Sequence, residues 1–153
     1  IMEEEMQEFD SLEKVKELFK SVGCEGKENC YFVTYKDFQK SSGMVNGMEY
    51  PYYGLLINQT EDGLGVFFLN QEKFSLQVLI SNLKVVKDSY FFIKNDDIDK
   101  IEVKNFAIFN TKTKRITIKL KDRKVHRLYA YVSEKTIPYH EENFAKFLNK
   151  YAK

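Results

Sequence analysis

Residues 115–132 read RITIKLKDRKVHRLYAYV, and this stretch decides the fold class. Isoleucine or leucine stands at every second position from 116 to 120, and apolar residues stand at every second position from 128 to 132. Alternation with a period of two is typical of strands that bury one face. Asp122 and Arg123 lie between the two runs, in a polar segment typical of a turn. We therefore predict an antiparallel hairpin with its tip at these two residues, in which Leu120 and Leu128 face the same core.

Strand patterns of the same kind precede this hairpin along the chain. Asp62-Gly63, between two alternating runs, is a strong hairpin signal. Residues 40–51 have the composition of a loop, and Asn95-Asp96-Asp97 is a second break. The remaining strands are predicted at residues 30–38, 76–81, 89–94 and about 100–109. Because their faces alternate, the sheet should be antiparallel, with about seven strands.

A helix is predicted at each end of the chain. Over residues 11–22 apolar side chains recur at helical spacing, Asp10 with Glu13 resembles a capping box, and Gly23 suits the position after a helix. Over residues 139–151 the apolar side chains fall at i, i+3, i+4 and i+7. We predict that they are buried against the sheet: Phe144, Phe147, Leu148 and Tyr151. The fold class is therefore α+β, an antiparallel barrel or sandwich with a C-terminal amphipathic helix and an added N-terminal helix. The alternatives are another small antiparallel barrel and an α+β sheet with both helices on one face.

Size and composition narrow the function classes. The chain has 153 residues, the common size of one domain, so residues 1–153 are expected to form a single domain. The formal net charge is +1, which argues against a general polyanion binder. Cys24 and Cys30 are expected to be reduced thiols, with a disulfide that closes a short loop as the alternative. Cys and His are too few for a usual zinc site, so we predict no metal and no cofactor. With no apolar run of bilayer length and an acidic start, the chain is expected in the cytoplasm.

The order of elements resembles that of the pleckstrin-homology (PH) superfold, and in particular bacterial PH-like domains, over about residues 30–151. Residues 53–57 (YGLLI) and 64–68 (LGVFF) are similar to the second and third strands of that family. Residues 92–101 (FIKNDDIDKI) resemble the step into its fifth strand, and residues 116–120 with the basic turn resemble its sixth and seventh strands. The resemblance implies seven antiparallel strands in two near-orthogonal sheets, closed by one C-terminal amphipathic helix.

The resemblance also implies a class of function. The superfold hosts many functions and is usually non-catalytic, so it implies a binding or adaptor domain that is not an enzyme. We expect a protein partner, which the sequence does not identify. Eukaryotic members that bind phosphoinositides use a basic motif on the first two strands. Residues 30–59 contain only Lys36 and Lys40 as cations, so binding in that usual pocket is not expected.

Cations are concentrated in the last hairpin, which is the candidate binding site. Between residues 112 and 127 only Asp122 opposes them. On alternating strands Lys119 and Lys121 share a face, and Arg127 can lie opposite on the return strand. Such a strip would recognise an anionic partner: nucleic acid, anionic lipid headgroups or an acidic protein surface. The candidate residues are Lys112, Lys114, Arg115, Lys119, Lys121, Arg123, Lys124, Arg127 and, at the edge, Tyr129.

Other interpretations of the polar residues stay open. A charged outer face is what an antiparallel sheet normally presents to water, and lysines there also hinder edge-to-edge pairing. A small enzyme is the third hypothesis, in which His126 or His140 would act as a base, but no catalytic motif accompanies either. Asp96, Asp97 and Asp99 lack the pattern of a calcium loop, and a polar turn explains them more simply.

Overall fold

A computed structural model describes residues 8–37, 52–71 and 79–151 of the chain. It has an α+β fold with an antiparallel sheet and a C-terminal helix, as the sequence predicts. Short 3-10 turns lie at Ile80–Asn82 and Asn95–Asp97. The helices and strands are α1 (Leu12–Lys20), β1 (Cys30–Lys36), β2 (Gly54–Thr60), β3 (Gly63–Gln71), β4 (Leu83–Val85), β5 (Phe91–Lys94), β6 (Ile98–Ala107), β7 (Asn110–Leu120), β8 (Val125–Tyr131) and α2 (His140–Tyr151).

Strand β1 joins the two halves of the sheet, one formed with β2 to β5 and the other by β6 to β8. The strand order is β4-β3-β2-β1-β8-β7-β6, and β5 pairs with β3 off this path. One edge of β1 pairs with β2 along its length, and the other meets β8 at the pairs Tyr35–Tyr129 and Lys36–Leu128. Sequential neighbours pair from β1 to β4 and from β6 to β8, whereas β5 pairs with β3. The β1–β8 contact is the long-range closure that brings the last strand back to the first.

Two apolar clusters lie on opposite faces of the sheet. We call them the inner cluster, which contains Leu55 and Ile57, and the outer cluster, which contains Leu56. These neighbours belong to different clusters because successive strand side chains point to opposite faces. The inner cluster combines side chains of both halves of the sheet with Phe144 and Phe147 of α2, so the sheet curves around it. The outer cluster lies under α1 and contains its buried side chains, Val15 and Phe19. The two helices therefore cover opposite faces, and the alternative with both helices on one face is wrong.

Helix α1 is shorter than predicted and is capped by a different residue. Ser11 is the N-cap, because its hydroxyl accepts a hydrogen bond from the Lys14 amide at 3.2 Å. The prediction that Asp10 caps the helix is wrong; its carboxylate instead lies 2.9 Å from the Lys14 ammonium. Gly23 has a φ of 79° and follows the helix as predicted. The Cys24 amide donates to the Phe19 carbonyl across this residue, the closing bond of a Schellman motif.

The hairpin at Asp122 and Arg123 is confirmed. Ile116 pairs with Leu128, and the Leu120 amide donates to the Lys124 carbonyl around the turn. Leu128 is fully buried in the inner cluster and half-buried Leu120 packs against the same cluster.

The earlier hairpin joins β2 to β3 as predicted, but its turn lies one residue before the predicted Asp62-Gly63. Thr60 pairs with Gly63, so Glu61 and Asp62 form the turn and Gly63 begins the return strand. A Cβ atom on Gly63 would lie 2.1 Å from the Ile93 carbonyl oxygen, so β5 can approach β3 only beside a glycine.

One strand prediction is displaced. Of the strand predicted at 76–81, residues 76–78 lie outside the described residues, and Ile80–Asn82 is a 3-10 turn. The strand, β4, follows this turn at Leu83–Val85. The predicted loop at 40–51 and Phe38, the last residue of the predicted first strand, also lie outside the described residues. Within the described ranges, no helix is long and apolar enough to cross a membrane.

The C-terminal helix packs as its stripe predicts. Phe144 and Phe147 are fully buried, and Leu148 and Tyr151 are half-buried against the same inner cluster. The ring of Phe147 lies 4.6 Å from that of Phe32 on β1, measured between centroids.

Candidate functional site

The cations of the predicted strip are spread along the whole of β7. Lys112 and Lys114 lie near the end that meets β6, whereas Lys121, Arg123 and Lys124 surround the opposite turn toward β8. A strand of this length separates its ends by roughly 30 Å at ~3.3 Å per residue. The two ends therefore present separate basic groups, and binding by either stays a prediction.

Arg115 is engaged within the fold. Its Nε atom lies 2.8 Å from a carboxylate oxygen of Asp37, whose side chain is only 2% exposed. Its guanidinium carbon also lies 4.4 Å from the centre of the Phe106 ring. Arg115 thus compensates a buried negative charge that is distant in the sequence, which gives this predicted site residue a structural role.

Tyr129 belongs to an aromatic seam where β1 meets β8. Its ring stacks on that of Tyr35 with 5.1 Å between centroids, and burial raises the pKa of Tyr129 to about 12. The Tyr35 hydroxyl donates to the Glu134 carboxylate at 2.6 Å, and burial raises the pKa of Glu134. Tyr31 and Tyr52 are buried too, and Tyr53 is half-buried, while Tyr50 lies outside the described residues. These tyrosines serve mainly as core residues.

Lys119 and Arg127 share the outer face of the hairpin, as predicted. Lys119 lies 3.7 Å from Glu102 of β6, and Lys100 lies 3.1 Å from the same carboxylate. The hydrogen bond from Lys100, followed by the charge of Lys119, lowers the pKa of Glu102. Half-buried Arg127 pairs across the strands with Thr117. The carboxylate of Glu102 on β6 therefore offsets the positive charge in the middle of the basic strip.

The tip of the β6–β7 hairpin carries the most exposed large apolar side chains of the described residues. Ile108 is 85% exposed and Phe109 is 97% exposed, whereas the next value is 43%. We call these two residues the apolar tip. The predicted strand at about 100–109 included them, but β6 ends at Ala107 and they form the turn. The sequence pattern did not reveal this turn, because it contains two large apolar residues and neither Gly nor Pro.

Lysines surround the apolar tip on both strands and both faces. Lys104 lies on β6 in register with Arg115, and Lys114 lies on β7 in register with Asn105. Alternation places these two lysines on opposite faces of the hairpin, and exposed Lys112 lies closer to the tip. We call Lys104, Lys112 and Lys114 the lysine collar. From residue 103 to residue 121 the sequence has no Asp or Glu.

Buried His140 and Cys30 are held in neutral forms. His140 accepts a hydrogen bond at Nδ1 from the Val33 amide at 3.2 Å, so Nε2 carries the proton and donates to the Tyr131 carbonyl at 2.7 Å. Burial lowers the pKa of His140 to about 4. Cys30 donates to the Asn143 carbonyl at 2.9 Å, and burial raises the pKa of its thiol to about 11. Neither group is arranged to attack a substrate or to accept a proton from one near neutral pH.

The two cysteines are buried free thiols in different clusters. Cys24 lies in the outer cluster and Cys30 in the inner one, on opposite faces of the sheet, so the geometry does not favour the alternative disulfide. Asp96 and Asp97 occupy an exposed 3-10 turn. Among the described residues, no three His, Cys, Asp or Glu side chains are grouped to hold a metal ion.

No family model, no curated protein and no solved structure matches this chain, so its functional residues are identified from geometry and chemistry alone.

Proposed function

We propose that this protein is a non-enzymatic binding domain of PH-like architecture and that it binds its partner through the apolar tip. The observation that carries the proposal is the exposure of Ile108 and Phe109, at 85% and 97%. Single exposed apolar residues are ordinary, but two large ones side by side at the end of a hairpin keep apolar surface in water. A binding partner that covers them would remove that apolar surface from water, which favours binding.

The strand order supports the PH-like part of the proposal. The chain forms a meander whose last strand, β8, returns to pair with the first, β1. This closure produces the two halves that the PH superfold arranges as near-orthogonal sheets. The C-terminal helix packs its apolar stripe on the inner cluster, which supports the role of a closing helix that the resemblance implies. The added helix α1 and the extra short strand β5 are departures from the family pattern.

The state of the buried side chains supports a non-enzymatic role. Both nitrogens of His140 are used by backbone groups, and Nδ1 of His126 lies 3.0 Å from the Tyr52 hydroxyl. Burial raises the thiol pKa of both cysteines, which leaves them protonated and weakly nucleophilic at neutral pH. Free thiols also suit the reducing cytoplasm, where we propose that the protein acts.

Fractionation of native cells tests whether the apolar tip is the contact site. The full chain would be expressed as wild type, as Ile108→Ser with Phe109→Ser, and as a control with Leu12→Ser and Val22→Ser. The control removes two partly exposed apolar side chains from α1. We expect the wild type and the control to fractionate with larger assemblies or with membranes and the tip variant to shift to free protein. The same distribution for all three proteins would refute the proposed contact site.

A further inference from the structure

We infer that the partner of the apolar tip is an anionic lipid surface, into which Ile108 and Phe109 insert while the lysine collar contacts lipid phosphates. The inference rests on the proposed function and names the partner of the same site.

The shape of the site favours a bilayer over a protein. Ala107 pairs with Asn110, so the two apolar residues extend beyond the last pair of the hairpin as a convex end. A stable protein interface usually covers about 800 Å² on each partner, far more than two side chains offer. A bilayer accepts protruding apolar groups at any point and needs no complementary pocket.

The position of the lysines matches the layers of a membrane surface. Lys112 follows Phe109 by three residues and Lys104 precedes Ile108 by four, which places their backbones roughly 10–13 Å behind the tip at ~3.3 Å per residue. Apolar groups of interfacial segments reach about 5–10 Å into the headgroup region. The long lysine side chains can then reach forward to phosphates. Asn110 and Thr111 lie between the apolar tip and Lys112 and are polar but uncharged. Asn105 lies at the level of the collar, where it accepts a hydrogen bond from the Lys114 ammonium at 2.6 Å.

The sign and distribution of charge favour anionic lipids. Acidic residues are absent from 103 to 121, so the whole distal half of the hairpin carries positive charge only. Because Lys104 and Lys114 lie on opposite faces, cations approach the surface on either side of the inserted tip. Tyr131 pairs with Thr113 beside this end of β7 and is 40% exposed. An amphipathic ring at that level suits the headgroup layer.

Vesicle binding by the purified full chain tests the inference. The lipids would be phosphatidylcholine alone, or phosphatidylcholine mixed with phosphatidylserine, at low and high salt. We expect binding to the mixed vesicles and little to the neutral ones. Ile108→Ser with Phe109→Ser should weaken it by about 100-fold, since two large apolar side chains lose their insertion. Replacing the lysine collar by serine should weaken it by about fivefold for each lysine and reduce the salt dependence.

A matched control uses the basic turn at the other end of β7. Lys121→Ser with Lys124→Ser removes exposed cations from that turn, so it should leave vesicle binding within about twofold of wild type. The variant Phe109→Trp supplies a second readout, because insertion should shift its tryptophan emission to the blue with mixed vesicles only. Thermal unfolding of each variant should match the wild type, since the changed residues are exposed or lie at the hairpin end.

Three results would overturn the inference. The first is equal loss of binding in the collar variant and the far-turn control, because it would indicate diffuse electrostatic attraction. The second is binding to an oligonucleotide that depends on Ile108 and Phe109 as strongly as vesicle binding does. The third is no binding of purified protein to mixed vesicles. If the tip variant still redistributes in cells in that third case, the proposed function stands with a protein partner. If it does not, both proposals fail.

Discussion

At the residue scale, the fold depends on a few polar side chains whose partners are far away in the sequence. His140 joins the start of α2 to β1 and to the end of β8, and it can do so only as a neutral ring with its proton on Nε2. Asp37 and Arg115 form an ion pair across the junction of the two sheet halves.

Acidification should destabilise the protein through His140. Its pKa is about 4 in the folded protein and 6.5 in an unfolded chain. The unfolded state therefore binds the proton more readily, so the contribution is complete above pH 6.5 and is lost as the pH falls through 4. The loss should be about 3 kcal/mol in the free energy of unfolding, since one pKa unit corresponds to about 1.4 kcal/mol. Urea unfolding across this pH range measures it.

The variant His140→Gln isolates that contribution from other groups. Glu134 also titrates with a raised pKa, and its protonation acts in the opposite direction. We expect the variant to be less stable at neutral pH but to lose less stability on acidification than the wild type. Equal pH dependence of the two proteins would show that His140 is not responsible.

Removing Arg115 should destabilise the fold more than removing any exposed lysine of the strip. Arg115→Met leaves the Asp37 carboxylate, 2% exposed, without its ion-pair partner. The expected cost is about 3 kcal/mol in the free energy of unfolding, typical of a buried pair broken on one side. The double variant Asp37→Leu with Arg115→Met should recover part of that loss, because no buried charge remains. Lys112→Met is the control, and a cost as large as that of Arg115→Met would contradict the structural role.

At the scale of the elements, patterns of side chains predicted most strands and both helices but not all of their ends. The alternation over residues 116–120 and 128–132 correctly predicts which side chains face the core, because local geometry alone sets that alternation. The end of β6 is different. Ile108 and Phe109 continue the composition of a strand, and only the pair Ala107–Asn110 closes the hairpin before them. The cap of α1 differs by one residue, because the sequence predicts Asp10 whereas the Ser11 hydroxyl accepts the hydrogen bond from the Lys14 amide.

The C-terminal helix should contribute strongly to stability through Phe147. This side chain is fully buried and its ring contacts Phe32 of β1. Phe147→Ala should cost about 3–5 kcal/mol, since it removes a buried ring and leaves a cavity. Lys146→Ala, on the exposed side of the same helix, is the matched control and should change stability by less than about 0.5 kcal/mol. An unchanged melting temperature for Phe147→Ala would refute the packing of this helix.

At the scale of the whole molecule, two apolar clusters share one sheet. Each of the central strands supplies alternate side chains to both clusters, as Leu55 and Leu56 do. Loss of one cluster should therefore disrupt the strands that support the other. We expect residues 1–153 to unfold as one cooperative unit.

Thiol accessibility in urea tests this cooperativity. Cys24 reports on the outer cluster and Cys30 on the inner cluster, and both are buried. In the single-thiol variants Cys30→Ala and Cys24→Ala, the remaining thiol should become reactive at the urea midpoint seen by circular dichroism of the same variant. Exposure of Cys24 well before that midpoint would show that α1 and the outer cluster form a separate unit.

The amino-acid pattern alone predicts the α+β class, the antiparallel hairpins and the buried face of α2, because each follows from a period of side chains along one element. It also indicated where the cations lie along β7. Which of those cations have partners within the protein depends on the folded structure. Arg115 meets Asp37 across 78 positions and His140 meets Val33 across 107, and no local pattern records such pairs. Exposure also depends on the folded structure. By residue type Ile108 and Phe109 resemble core residues, but no element among the described residues covers them. Periodicity determines the direction of a side chain, whereas its partner depends on which distant elements meet.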